Sequence, residues 1–560
     1  MSRSEMNILI GGEAGQGLAT VGQVLAKVLV KAGYHIVVTQ DYQSRVRGGH
    51  NTFALRVAVT PVAAPREGVD LLVALNQETL NLHEKELSPG AQVVADAGLT
   101  CGLAPCYSVP YASLSEPRYL NTVALGVSAS LLGLDQTRVA DGLAKFLGKL
   151  SPEMAAKNQE ALAAAYAHAA AHPAPLASLN PPASAPDRLL MNGNEAIALG
   201  ALAAGLKFLA FYPMTPSTSV ALTVIAHAQK LGVVTEQAED EIAAINMALG
   251  AAYAGAPAMV TTSGGGFALM VEGISMAGIT ETPVLIVLAQ RPGPATGLPT
   301  RTEQADLEFA LHAGHGEFPK ALFAPGSVED CFHLAYHALH LAERWQIPVI
   351  LLTDQFLADS YRAVTPFDLT GLKPVQAGDP AVGGGYEYKR YAITESGVSP
   401  RALPGQGQEL VVLDSDEHTE DGHLTEDLAV RVLMQDKRQR KFEGLSREVL
   451  PPLWEGPEEA GTLLVGWGST QGSVSEAAAW LRSQGQSVAA CHFRQVWPLD
   501  PAQFLPRLAR AGQVVMVEGN STGQFARLIR RETGFHITRL VTRYDGLPIT
   551  PQYILRALGA

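Results

Sequence analysis

Short apolar runs recur along the chain, and most of them stop at a turn rich in Gly, Pro or Thr. MNILIGG opens the series, LATVGQVLAKVLVKA over residues 18–32 repeats its apolar positions at helical spacing, and HIVVTQ follows. That order predicts strand, helix, strand. Beyond residue 187, helical patterns such as EAIALGALAAGL alternate with the runs FLAFYP, PAMVTT, PVLIVLA and IPVILLT. Continuous apolar runs without polar alternation suit a parallel sheet covered by helices on both faces. From about 365 to 455 the chain is polar and irregular, and from about 460 TLLVGWGS, SVAACHF and QVVMVEGN restore the alternation. The Pro- and Ala-rich AHPAPLASLNPPASAPD reads as a linker. The pattern predicts an α/β protein of several doubly wound domains with mostly parallel sheets. The boundaries are 1–170, a linker at 171–187, 188–364, a connecting segment at 365–458, and a closing domain at 459–560.

Composition narrows the function classes. With 560 residues, 47% hydrophobic and 17% charged, the chain has enough apolar surface for several cores and is not disordered. Its 41 basic against 54 acidic side chains give a net charge of -13, and without a long basic tract nucleic acid is excluded as a partner. The apolar segment at the amino terminus is too short for a signal peptide, and no run of about 18 apolar residues is free of polar breaks. The expectation is a cytoplasmic protein without a membrane partner. Cys101, Cys106, Cys331 and Cys491 show no CxxC spacing, so neither a disulfide framework nor a self-contained zinc or iron-sulfur site is expected. A redox cluster would sit on another chain.

Candidate chemistry collects where strands should end. FYPMTPST at 211–218 follows one apolar run and QRPGPATGLPTRTEQADL at 290–307 follows another. Rigid, hydroxyl- and Arg-bearing loops at strand ends suggest a ligand site. GGEAGQG at 11–17 lies between a strand and a helix, where backbone N–H groups could cradle phosphate. Arg45 and Arg47, in the region where a dinucleotide fold would place a ribose-binding acid, favour a phosphorylated ligand over a tight turn with solvated arginines. EQAEDEIAAINMALGAAYAGA at 236–256 is helical by period, and Glu241 at its apolar start is either an ordinary first-turn acid or a buried group with a task. TTSGGGFALMVEG at 261–273 could approach a flat ligand closely or simply join strand to helix. DSDEHTEDGH, with His418 and His423, is read as a solvated or interface loop rather than a metal site. Arg431, Lys437, Arg438 and Lys441 share one helical side, expected to meet a partner's acids or water.

Together YPMTPST, the helix ending GAAYAGA, TTSGGGFALM, QRPGPATGLPTRTEQADL, EYKRYAITESGVSPR, and GWGST followed by EGNSTGQ resemble the alpha subunit of the 2-oxoacid:ferredoxin oxidoreductases. GGEAGQG, SRVRGGHN and NTVALG resemble the gamma subunit of the same family, fused in front. The resemblance covers essentially the whole chain. It implies a gamma-type, coenzyme A-related domain, then a thiamine pyrimidine-binding domain, then a transketolase C-terminal-like domain. It further implies thiamine diphosphate-dependent, reversible decarboxylation of a 2-oxoacid, with electrons passing to ferredoxin and the acyl group to coenzyme A. The fused layout ranks 2-oxoglutarate, giving succinyl-CoA, ahead of pyruvate, branched-chain and aryl 2-oxoacids.

Residue by residue, the resemblance assigns Thr215 and Arg291 to the substrate carboxylate, and Thr300 and Arg301 to its distal end. Tyr212 and Pro213 would border the cofactor. Glu241 would hydrogen-bond the thiamine pyrimidine N1′ and so promote loss of the C2 proton. It takes that role ahead of Glu236 and Glu239 by its register with Gly250. Coenzyme A would use Gly12, Gly15, Gln16, Gly17, Ser44, Arg45, Arg47 and Asn121. The resemblance implies that Mg2+ and the iron-sulfur cluster belong to a separate beta subunit; on this chain no metal ligand is assigned, and no GDG-type signature for the thiamine diphosphate metal stands in a plausible setting. The thiamine site would therefore be completed by that subunit in an (alpha-beta)2 heterotetramer. Two rivals remain, a nicotinamide dehydrogenase, disfavoured by Arg45 and Arg47, and a scaffold subunit that keeps only the fold.

Overall fold

The computed structural model describes residues 3–43, 48–102, 105–148, 150–173, 178–382, 388–407 and 410–560. The chain forms two compact units. One comprises Met1–Met191, Asp359–Phe367 and Thr550–Gln552, the other Asn192–Ala358, Asp368–Ile549 and Tyr553–Ala560.

The first unit is built on β1 (Glu5–Glu13), β2 (His35–Asp41), β3 (His50–Ala58), β4 (Val69–Ala74), β5 (Leu87–Asp96), β6 (Cys106–Val109) and β7 (Leu189–Met191). A further strand, β14 (Arg362–Val364), returns to it, giving the order β6-β5-β4-β1-β3-β2-β14-β7. β1, β4, β5 and β6 run parallel, whereas β3, β2, β14 and β7 add antiparallel ladders. The expected strand, helix, strand order is present, but β3 lies between β1 and β2 and pairs with both. Its sequence alternates so that Phe53, Leu55 and Val57 enter the core. The helix at 18–32 appears as Leu18–Lys31 and sends Val24, Leu25 and Val28 into that core. Contrary to the cysteine spacing argument, Cys101 and Cys106 are joined in a disulfide. The turn after β5 and the start of β6 bring their Cα atoms to 6.6 Å, within bridging range.

The second unit holds two sheets. The larger uses β8 (Phe208–Phe211), β9 (Val234–Gln237), β10 (Ala258–Thr262), β11 (Val284–Gln290), β12 (Ala321–Phe323), β13 (Pro348–Asp354) and β18 (Gln495–Trp497), in the order β18-β12-β13-β11-β10-β8-β9. The smaller uses β15 (Leu453–Glu455), β16 (Thr462–Trp467), β17 (Val488–Phe493), β19 (Gln513–Glu518) and β20 (Arg539–Thr542), in the order β15-β17-β16-β19-β20. Among the described residues, only β18 and β15 of these strands are antiparallel to their neighbours. Every residue of β10, β11 and β13 is buried, as continuous apolar runs demand. One core joins the two sheets, with Ile286, Leu288 and Leu322 in the same cluster as Trp467, Phe493 and Phe525.

One surface expectation fails in this unit, and the loop at 414–423, with Asp416, Asp421 and His423 exposed, departs from expectation only at His418. The basic positions fall on the helix Leu428–Ser446, but Lys437, Arg438 and Lys441 are buried in ion pairs instead of facing a partner or water. Lys437 Nζ donates to Glu281 Oε1 at 2.6 Å, Lys441 pairs with the same carboxylate, and Arg438 pairs with Glu417 at 2.7 Å. Glu281 is itself buried, and charges are tolerated inside a protein when paired and hydrogen-bonded. Burial pulls the Lys441 ammonium down to about 7, and the surrounding cations hold Glu281 well below the carboxylate range. His418 is likewise buried, its ring 3.9 Å from that of Tyr391 and its Nδ1 within 3.0 Å of Asp416 O. Among the described residues, no helix is long and apolar enough to cross a membrane.

Candidate functional site

β11, β10 and β8 are neighbours, and their carboxyl ends deliver the loops singled out in the sequence. In open parallel sheets this edge is where ligands bind. After β8, Tyr212 and Pro213 are exposed and Thr215 is half-buried. After β11 comes Arg291, whose Nη1 donates to the Thr215 carbonyl at 2.5 Å, although 76 residues separate the two. Burial lowers the Arg291 pKa and the charge of Asp306 opposes the effect.

Glu241 begins the helix Glu241–Tyr253, capped by Asp240, whose side chain accepts from the Ala243 N–H at 2.8 Å. Only 2% of Glu241 is exposed, whereas Glu236 and Glu239 face solvent. Burial raises its pKa, opposed by a hydrogen bond from its own backbone N–H and by a long one, 3.5 Å, from Thr262 Oγ1. The glycines expected in a turn after β10 instead open the helix Gly264–Leu269, which lies directly against it: a Cβ on Gly266 would stand 2.1 Å from Glu241 Oε1 and 2.2 Å from Thr262 Oγ1. Glycine is required here for close approach. A buried carboxyl with so little hydrogen bonding is well matched to a ligand that brings its own donor.

Gly264 is the first residue of that helix, and a Cβ on it would stand 2.7 Å from Asp306 Oδ2. Asp306 is the residue that sequence reasoning passed over. It lies inside the quoted TEQADL, but nothing in the local pattern distinguishes it from a solvated loop acid. Its backbone N–H donates to Gln290 Oε1 at 3.0 Å, which pins the loop back to the end of β11. Oδ2 is buried without a hydrogen-bond partner. Burial lifts the Asp306 carboxyl to about 6 against the pull of Arg291, and burial with the charge of Asp306 lifts Glu303 to about 6. Thr300 and Arg301 are half-buried in this loop. The stem of Arg301 runs along Gly546, and Thr302 N donates to Gly546 O at 3.1 Å.

In the first unit, the segment after β1 closes on itself. Gln16 N donates to Glu13 O at 3.1 Å, and Gln16 Oε1 accepts from Glu13 N at 2.8 Å. Gly15 has φ +100° with open space beside it, and Gly17, at φ +76°, caps the helix Leu18–Lys31 without a side-chain hydrogen bond. Free N–H groups at an uncapped helix start suit an anion. A Cβ on Gly17 would stand 2.3 Å from Asn121 Nδ2, so Asn121 borders this turn, as does Gly12 through Gln16. Asn121 is the second residue of the helix Leu120–Leu131, which follows the short 3-10 turn Pro117–Tyr119. Ser44, Arg45 and Arg47 lie outside the described residues.

The family model described as pyruvate ferredoxin/flavodoxin oxidoreductase matches residues 7–168. The model described as pyruvate flavodoxin/ferredoxin oxidoreductase, thiamine diphosphate-binding, matches residues 199–437. The chain is 31% identical to a 2-oxoacid:ferredoxin oxidoreductase subunit alpha of Sulfolobus sp, over 98% of this chain and 96% of that protein. It is 30% identical to the 2-oxoglutarate oxidoreductase subunit KorA of Mycobacterium tuberculosis, over 99% and 91%. The solved 2-oxoglutarate:ferredoxin oxidoreductase from Magnetococcus marinus, with 2-oxoglutarate, coenzyme A and succinyl-CoA bound, is similar at a TM-score of 0.92 and 32% identity. That likeness covers 100% of this chain and 99% of that one.

Proposed function

Since the chain belongs to the 2-oxoacid:ferredoxin oxidoreductases, as an alpha subunit, we propose that it supplies half of a thiamine diphosphate site acting on 2-oxoglutarate. The reaction would be 2-oxoglutarate, coenzyme A and two oxidised ferredoxins to succinyl-CoA, carbon dioxide, two reduced ferredoxins and a proton, run in either direction. The observation that carries this reading is the buried carboxyl of Glu241 packed against Gly266, held within the chain only by its own backbone N–H and a long hydrogen bond from Thr262 among the described residues. Thiamine diphosphate, when bound, supplies a carbanion for the 2-oxo carbon and an electron sink for decarboxylation.

The rest is work for this chain's own side chains. Glu241, whose pKa burial raises, can share a proton with a pyrimidine ring nitrogen, a transfer that a solvated carboxylate would make poorly. Arg291, already oriented by Thr215 O, offers its remaining donors to the carboxylate beside the 2-oxo group. Tyr212 and Pro213 would flank the cofactor, and Thr300 and Arg301 would lie toward the distal carboxylate. The uncapped turn of Gly12, Gly15, Gln16 and Gly17, bordered by Asn121, would hold a coenzyme A phosphate, with Ser44, Arg45 and Arg47 as further donors.

A beta subunit is supported by exposed apolar side chains on two helices of this unit: Ile242 and Met247 on the helix that Glu241 begins, and Leu222 and Ile225 on the helix Thr218–Leu231. That subunit would carry Mg2+ and the iron-sulfur cluster in an (alpha-beta)2 assembly. The bound molecules of the Magnetococcus marinus relative favour 2-oxoglutarate over pyruvate, branched-chain or aryl 2-oxoacids. A panel of 2-oxoacids tested on the purified complex for coenzyme A-dependent viologen reduction decides the point. The highest kcat/KM is expected with 2-oxoglutarate, and a preference for pyruvate overturns the assignment.

A further inference from the structure

Resting on the reading that Arg291 grips the substrate carboxylate, we propose that Asp306 is a positioning residue of the 2-oxoacid pocket. It balances Arg291 while the pocket is empty and takes up a proton when a substrate carboxylate arrives. The loop that begins at Arg291 returns to its own origin, because the Asp306 N–H is held by Gln290 Oε1, the last side chain of β11. Arg291 and Asp306 therefore belong to one strand end. The guanidinium spends one donor on a neutral carbonyl, Thr215 O, and its charge is answered by Asp306.

Little else stabilises Asp306 as an anion. Its Oδ2 is buried without a partner, and the glycine backbone at Gly264 crowds the carboxyl without offering it a donor. The charged groups that bear on it are Arg291 from the end of β11 and Glu303 from the same loop, and Glu303 has the wrong sign. A substrate carboxylate on Arg291 sets a second carboxyl group beside Asp306 against one guanidinium. Protonation of the less solvated of the two relieves the conflict. Burial already holds Asp306 high, at about 6, so the proton is available near neutrality.

The sign follows from linkage. An arriving anion raises the Asp306 pKa further, so binding takes up a proton and affinity falls as pH rises. KM is then flat below about pH 6, rises by up to about tenfold per pH unit above it, and levels once the pKa of the bound state is passed. Asn at 306 resembles the protonated form and removes the dependence.

The test uses the complex of this chain with its partner subunit and N-oxalylglycine, an analogue of 2-oxoglutarate that keeps both carboxylates. Calorimetric titration near pH 7 in two buffers of different ionisation enthalpy gives the protons taken up per site. Wild type should take up close to one proton, Glu303→Gln should retain the uptake, and Asp306→Asn should show none, with a KM flat from pH 6 to 8. Absence of uptake in wild type overturns the proposal whether or not the variant folds. Uptake that survives Asp306→Asn, or disappears only in Glu303→Gln, overturns it as well. Failure of the underlying reading looks different, because Arg291→Ala would then leave the 2-oxoacid KM unchanged.

Discussion

Gly266 and Glu241 are in backbone-to-side-chain contact so close that a methyl group on the glycine would stand 2.1 Å from the carboxyl oxygen. No hydrogen atom's width of tolerance remains, so one of the two must move when the glycine is replaced. The carboxyl, at the free end of its side chain, moves more easily than the backbone. Gly266→Ala should therefore fold, at a cost of about 1–3 kcal/mol for overpacking, and lose activity far beyond that cost. The check is kcat for 2-oxoacid-dependent viologen reduction beside an unfolding curve. A variant with normal kcat would mean that the position of Glu241 is unimportant.

Arg291 and Thr215 meet through one guanidinium N–H and a backbone carbonyl, which leaves the rest of a planar fork of donors that Lys cannot reproduce. Arg291→Ala should reduce kcat/KM by about 10- to 100-fold, the worth of a charge-assisted hydrogen bond of about 1.5–3 kcal/mol. Arg291→Lys should recover only part of the loss. Thr215→Val should have a smaller effect, since the observed contact uses the backbone oxygen. Steady-state kinetics across the three variants checks the order.

Glu281 is the only acid seen between Lys437 and Lys441 among the described ion pairs. Glu281→Gln leaves two buried ammonium groups without their counter-charge, and about 3–5 kcal/mol of stability should be lost. Chemical denaturation of the complex measures it. A near-neutral effect would imply that the lysines are neutral in the folded protein.

Much of this arrangement was legible in the sequence, and what was not has physical causes. FLAF, AMVTT, VLIVLAQ and PVILLTD became strands of a parallel sheet because uninterrupted apolar runs can be buried only there. Thr215 and Arg291 could be assigned to two loops at strand ends because each follows such a run. β7 and β14, of three residues each, carry no pattern long enough to show that the chain returns to the first sheet. The burial of Lys437 and Lys441 was hidden because their partner Glu281 lies 156 and 160 residues away, and periodicity reports only local neighbours. Asp306 was hidden for a related reason: its environment comes from Gly264 and Arg291, neither of them adjacent in sequence.

Asp306 also gives a pH dependence of stability. Its folded pKa of about 6 lies above the usual aspartate range, so the fold favours the protonated acid. That contribution is fully present below about pH 4 and is lost as pH rises through 6. Asp306→Asn should accordingly be more stable than wild type at pH 8, by an amount on the order of 1–3 kcal/mol, and nearly equal to it at pH 4. Apparent Tm values at the two pH values give the comparison, and a variant less stable at pH 8 contradicts the sign.

The central claim is that Glu241 activates a cofactor held against this chain, and the exchange of the thiamine C2 proton with solvent tests it without reference to turnover. The complex is loaded with thiamine diphosphate, mixed with deuterium oxide, quenched in acid and read by proton NMR. Glu241→Gln is expected to bind the cofactor within a few-fold of wild type and to slow the exchange by about 10²- to 10⁴-fold. Exchange at the wild-type rate in that variant would contradict the account.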